Sequence, residues 1–175
     1  MFKTAKVAAA GAAALSGLAL LLAMPASGAP NPNSTNRYTF VDDDVTWAAA
    51  NASAIAAGGH LVTIGSRAEQ TRVFGLMTNT ALNPRALGIW LGGTDSAQEG
   101  AWQWVDTGKY FYFDPDPETY SGSAARGFNR FLQGEPNDSE SVEDCLAMRT
   151  DGYWNDLPCN SQTGTQDLAY VIEFD

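Results

Sequence analysis

Apolar residues at Trp47, Ala50, Ala54 and Ala57 recur three and four positions apart, which is the spacing of one face of an α-helix, and Gly58-Gly59 ends the run. The pattern predicts a first helix from Trp47 to that glycine pair. Ser66 followed by Glu69 is a capping-box signature, so a second helix is expected through about Met77. Short extended segments are expected at Arg37 to Val41, His60 to Ile64 and Leu87 to Gly92. Trp102-Gln103-Trp104-Val105 alternates as a strand does, and Asp106 to Gly108 turns the chain. Asp114-Pro115-Asp116-Pro117-Glu118 fits neither helix nor central strand, and Tyr110 to Ser139 reads as mostly long loop. Three strand-like pieces follow, at Cys145 to Arg149, Gly152 to Trp154 and Leu168 to Phe174. There is no internal repeat. Two helices first and short strands afterwards define an α+β domain.

Residues 1–29 stand outside that pattern. Lys3 and Lys6 precede a stretch from Val7 to Met24 built almost wholly of Ala, Leu and Gly, and Ser27-Gly28-Ala29 offers the small residues of a signal-peptidase site. This reads as a signal peptide cleaved after Ala29, with a retained stop-transfer helix as the alternative. Residues 30–36 then form a polar linker, and 37–175 the folded domain. The expected location is secreted or periplasmic.

Charge narrows the partners. The chain has 10 basic and 20 acidic side chains, and loss of Lys3 and Lys6 with the leader leaves 8 against 20, a formal charge of −12. Such a surface repels phosphate backbones, so nucleic acid is not an expected partner, and membrane insertion is not expected after cleavage. The two cysteines, Cys145 and Cys159, close a loop of about 15 residues in an oxidising compartment. A disulfide is expected there, worth on the order of 3 kcal/mol by loop closure.

More specific words occur in order along the chain. They are Trp47-x-x-Ala50, Gly58-Gly59-His60-Leu61, Trp90-Leu91-Gly92-Gly93-Thr94-Asp95, Gly100-x-Trp102-x-Trp104-x-Asp106, Gly134-Glu135-Pro136-Asn137-Asp138, Glu143-Asp144-Cys145, Trp154-Asn155-Asp156, Cys159 and Tyr170-Val171-Ile172-Glu173. Together they resemble the C-type lectin-like domain over about residues 37 to 175. The resemblance implies two helices with a small antiparallel sheet below a long calcium-binding loop region. It departs in one respect: a second, long-range disulfide common in the family would fall on Ala54 and Ile172. Core packing has to replace a tie worth about 4.7 kcal/mol on a loop-length estimate.

The resemblance also implies a Ca2+ site at Glu135, Asn137, Glu143, Asn155 and Asp156, and each position has the expected residue. Calcium is a hard cation that takes oxygen ligands, and three carboxylates with two amides suit it. Each amide keeps an NH2 group after its oxygen ligates, so the same five residues can hydrogen-bond adjacent hydroxyls of a sugar. In the family the Glu-Pro-Asn order goes with mannose, N-acetylglucosamine and fucose, and holds the Glu–Pro bond cis. Glycans or glycoconjugates are therefore the implied partners. A calcium-stabilised module that binds a protein or a surface matrix without engaging sugar is the alternative, and no enzymatic activity is expected.

Asp138 and Asp144 match positions of an auxiliary second calcium site in part of the family, with Glu143 shared and the remaining acids expected from Asp114, Asp116 or Glu118 in the long loop. The tryptophans read as core. Phe131, four residues before Glu135, is expected to be buried and not to form a stacking platform. His60 reads as structural, not as a general base.

Overall fold

The computed structural model describes residues 38–79, 86–113, 127–161 and 167–175. The expected leader and linker, Arg37, and the acids Asp114, Asp116 and Glu118 lie outside these residues. The described elements are β1 (Tyr38–Val41), α1 (Trp47–Ala56), β2 (His60–Leu61), α2 (Arg67–Asn79), β3 (Ala86–Thr94), β4 (Ala101–Trp104), β5 (Tyr110–Phe113), β6 (Cys145–Arg149), β7 (Trp154–Leu157) and β8 (Asp167–Glu173), with a 3₁₀ turn at Ser139–Ser141.

The expected α+β class holds, with two helices and a sheet. The sheet is mixed, however, and larger than the small antiparallel one expected. Its path is β1-β8-β3-β4-β5, β2 also pairs with β8, and β6 pairs with both β3 and β7. β3 and β8 run parallel and the other pairs antiparallel. Parallel neighbours need a long connection, and β4 to β7 lie between β3 and β8 along the chain.

Local chemistry explains where the helices start. The Thr46 hydroxyl accepts the Ala49 amide at 3.2 Å and caps α1. The Ser66 hydroxyl accepts the Glu69 amide at 3.2 Å, and the Glu69 carboxylate reaches back to the Gly65 amide at 2.8 Å. The capping box therefore forms, with its carboxylate one residue further upstream than the usual reciprocal bond. Gly58 stops α1 with a φ of +84°. Gly59 passes so close to β8 that a Cβ there would collide with the Glu173 carbonyl oxygen.

Two apolar clusters fill the interior. One joins Ile64, Val73 and Met77 to Trp102, Trp104, Phe111, Leu146 and Trp154, with Phe131 partly buried against it. Phe131 contacts Trp102 edge-on, with ring centres 5.6 Å apart, so it serves the core as expected. The other cluster holds Trp47, Ala54, Leu61, Trp90, Tyr170 and Ile172. Ala54 and Ile172 are thus buried in one cluster where a disulfide was expected to be absent. Indole donors anchor it: Trp47 Nε1 gives to Leu91 O, in the first cluster, at 2.7 Å, and Trp90 Nε1 to Val45 O at 2.8 Å.

Cys145 and Cys159 form the expected disulfide. Tyr110 to Phe113, read from sequence as the start of the loop, is instead strand β5 paired with β4. Phe131 makes an isolated parallel bridge to Trp154. That bridge aims the following loop, residues 132–144, across the end of β7.

Candidate metal centre

Gln70 on α2 sets the position of β7 from beneath. It is 5% exposed, gives its Nε2 to Gly152 O at 2.8 Å and accepts the Trp154 indole at 2.9 Å through Oε1. Trp154 is fully buried, and Asn155 and Asp156 follow it on the strand.

Asp156 is the hub. It is 1% exposed, and its Oδ2 accepts two backbone amides of the crossing loop, Asn137 at 2.9 Å and Asp138 at 2.7 Å. Its Oδ1 is buried with no hydrogen-bond donor. The Asn137 side-chain amide donates to the Glu135 carboxylate, and the Glu135–Pro136 bond is cis. Further along, the Glu143 amide donates to Asp138 Oδ1 at 3.2 Å, while the Glu143 carboxylate accepts the Ser139 amide at 3.1 Å. Asp138, Glu140 and Ser141 all have positive φ, at 44°, 59° and 57°, as the loop doubles back tightly enough to bring Glu143 beside Glu135.

The electrostatics show how close these acids lie. Burial, then the charge of Asp156, pushes the Glu135 carboxyl up to about 7, and Glu143 adds to it. Burial and Asp156 likewise push Glu143 up to about 7. Asp156 itself is raised, chiefly by burial.

Of the five residues read from sequence, Glu135, Asn137, Glu143 and Asp156 are therefore brought together. Asn155 is next to Asp156 on β7, but its side-chain oxygen makes no hydrogen bond to those four. Asn155 lines a cavity of about 190 Å³ with Leu87, Ala147, Arg149 and Leu157. Its Oδ1 is buried without a donor, as is that of Asp156. Arg149 also lowers the Glu135 carboxyl, which places this cavity near the cluster.

A second acidic group lies alongside. Carboxylate oxygens of Asp95, Glu99 and Asp144 fall within 4.8 Å of one another, an arrangement that can hold a metal ion. Asp95 is 1% exposed; burial and then Glu99 push its carboxyl up to about 8. Its Oδ2 accepts the Gly100 amide at 3.0 Å, and its Oδ1 is buried with no donor. The Glu99 carboxyl is raised too, by burial and then by the charge of Asp138. Sequence reasoning missed Asp95 and Glu99 and looked to the long loop. The available signal was an acidic pair four residues apart directly after Gly93-Thr94, in the turn from β3 to β4.

Both groups share one property. Three carboxylate or amide oxygens, on Asp95, Asn155 and Asp156, are buried with no hydrogen-bond partner, and burial with neighbouring charge raises the carboxyls of Asp95 and Glu135. Orphaned oxygens at that density are poorly explained by protein contacts alone. They match the all-oxygen donor set that calcium requires, so the residues fit that ion.

The Lectin C-type domain family matches residues 43–165, and the chain belongs to it. A similar protein is human C-type lectin domain family 4 member G, 34% identical over 128 residues that cover 71% of this chain and 36% of that protein. The chain spans about half the length of two further relatives. Among solved structures, the carbohydrate-recognition domain of cow CD23, determined in the presence of GlcNAc2Man3 oligosaccharide, superposes with a TM-score of 0.59 at 26% identity, covering 78% of this chain and 85% of that one. A calcium-independent type II antifreeze protein superposes with a TM-score of 0.55 at 26% identity, covering 77% and 82%. The domain is a binding module and not an enzyme. No helix among the described residues is long and apolar enough to cross a membrane.

Proposed function

We propose that this domain binds sugars of the mannose, N-acetylglucosamine and fucose type through a calcium ion held by Glu135, Asn137, Glu143, Asn155 and Asp156. The observation that supports it most is the inward, donorless Asp156 Oδ1 at the centre of a loop that the same carboxylate fastens in place. Bound calcium supplies a hard positive centre that neutralises these acids and takes further oxygen ligands, sugar hydroxyls among them. Glu135 and Glu143 accept hydroxyl protons, and Asn137 and Asn155 donate through their NH2 groups. Asp95, Glu99, Asp138, Glu143 and Asp144 form a second calcium position whose role is to stiffen the loop. Residues 1–29 act as an export leader, which puts the domain outside the cytoplasm with glycans or glycoconjugates as partners.

The oligosaccharide present with the CD23 domain supports the reading by kinship. The antifreeze relative, whose name carries no sugar, favours the alternative, a calcium-stabilised module of the same fold that binds a protein or a surface matrix without engaging sugar, although that relative itself is calcium-independent. Titration calorimetry with mannose at millimolar concentration, in saturating calcium and in chelator, separates them. Saturable heat that vanishes with chelator supports the lectin. Its absence in calcium refutes sugar binding.

A further inference from the structure

A second cavity lies at the far end of β7 from Asp156. Arg67, at the start of α2, and Arg130, just before the Phe131 bridge, line a space of about 230 Å³ together with Gln70, Thr71, Phe74 and the Asp151-Gly152 turn. Cations are scarce in this chain, with 10 basic side chains against 20 acidic ones. In such a background most guanidiniums should find a carboxylate, yet among the described residues neither Arg67 nor Arg130 is in an ion pair. The one carboxylate on the wall, Asp151, is already engaged: it pairs with Arg149 at 3.1 Å and accepts the Tyr153 amide at 3.1 Å.

Two of the walls are held in place by their own contacts. Arg130 donates Nε to Gly152 O at 3.0 Å, and its guanidinium lies over the Tyr153 ring at 4.5 Å. Those contacts hold the guanidinium plane and leave its terminal NH2 groups without a partner among the described residues. Gln70 is locked between Gly152 and Trp154, so the floor cannot collapse. Phe74 adds an apolar wall, and a Cβ on Gly152 would stand 3.0 Å from that ring. Two guanidinium groups in one recess suit a carboxylate or sulfate, since each offers a planar fork of donors. The volume is below the range of about 300–1,000 Å³ usual for drug-sized ligands, which restricts the occupant to a small anion or one unit of a larger molecule.

We infer that Arg67 and Arg130 form an oxyanion pocket that takes a carboxylate or sulfate group, independently of the metal centre, with which it shares no residue. The test is amide-detected NMR of the protein in chelator at constant ionic strength, titrated in turn with inorganic sulfate, glucuronate and a sulfated glucose. Saturable shifts confined to Arg67, Gln70, Thr71 and Gly152 are expected. Tighter binding of either sugar acid than of sulfate identifies an acidic saccharide as the source, and equal binding identifies the free anion; both support the pocket. Arg67→Glu should weaken binding by about tenfold or more, the scale of one charge-assisted bond. Arg67 is exposed, so this variant should keep its thermal midpoint. Arg130→Gln should weaken binding similarly. Absence of saturable shifts, or affinity unchanged by Arg67→Glu, overturns the inference. Because chelator is present throughout, failure of the sugar reading above leaves this outcome untouched.

Discussion

One carboxylate oxygen of Asp156 accepts the backbone amide of Asn137 at 2.9 Å, so β7 and the loop bearing Glu135 are fastened to each other by a side chain that is itself 1% exposed. The same carboxylate repels Glu135 and Glu143. It therefore organises the loop and, in the absence of a cation, strains it electrostatically.

Asp156→Asn separates those two effects. The amide oxygen can still accept from Asn137 and Asp138, but the charge is gone. The metal-free variant is expected to melt no lower than the parent, and calcium should no longer raise its midpoint. Scanning fluorimetry with calcium and with chelator reads both quantities. A calcium shift equal to that of the parent would remove Asp156 from the site.

The raised carboxyls set a pH dependence with a definite sign. Glu135 and Glu143 stand at about 7 and Asp95 at about 8, whereas unfolded carboxylates titrate near 4. Between those values the folded chain holds protons that the unfolded chain has released. Stability of the metal-free protein should thus fall as pH rises from about 5 to about 8. Calcium displaces those protons, so the midpoint gain it gives should grow over the same interval, with proton release on binding. Melting curves across that range, with calorimetry in buffers of different ionisation heat, check both. A metal-free midpoint that climbs with pH contradicts the assignment.

What could be read from sequence was mostly local or verbal. The Ser66–Glu69 cap needs only residues three apart, and it formed. The segment words named Glu135, Asn137, Glu143 and Asp156, which the fold brings close to one another. The strand at Tyr110–Phe113 was missed because four consecutive aromatics show no alternation and run into a Pro-Asp segment. The parallel pairing of β3 with β8 joins residues about 80 apart, a separation that no periodicity reports. Asp95 and Glu99 were missed for a similar reason: Asp144, which gathers them into a cluster, lies more than 40 residues downstream. Asn155 was expected with the other four; it lines the neighbouring cavity, and its buried Oδ1 makes no hydrogen bond to them.

Glu99→Gln tests the second position on its own. Glu99 is exposed and reaches the cluster from the β3–β4 turn, so the fold should tolerate the change. Calcium stoichiometry measured by equilibrium dialysis is expected to drop by one ion per chain, with mannose binding retained in saturating calcium. Unchanged stoichiometry would show that Asp95, Glu99 and Asp144 hold no ion.

Gln70→Met keeps the side-chain length but leaves the Trp154 indole without its acceptor in a buried setting. Loss of one partner of a buried bond costs about 1–3 kcal/mol. Urea unfolding should show that loss at an unchanged slope. A variant as stable as the parent would mean that β7 is positioned by packing alone.

Exchanging Glu135 for Gln and Asn137 for Asp asks whether these two residues choose the ligand. The double variant keeps one carboxylate and one amide, so the charge facing calcium is unchanged and the ion should still bind. The donor and acceptor offered to the sugar hydroxyls trade places, however. In the parent the Asn137 amide already donates to Glu135, and that internal bond orients both groups; the reversed pair can remake it with the opposite polarity. A site built to match particular hydroxyls penalises the wrong arrangement, because polar groups are left unpaired on both sides. Mannose binding is expected to collapse while the calcium-dependent midpoint shift survives, with weak galactose binding gained. Glu143→Ala is the control: it removes a carboxylate outright, and calcium and sugar binding should fall together. Calorimetry of the parent and both variants with mannose and galactose in saturating calcium decides the matter. If the double variant binds mannose as well as the parent does, recognition lies elsewhere on the surface and Glu135 and Asn137 serve only the metal.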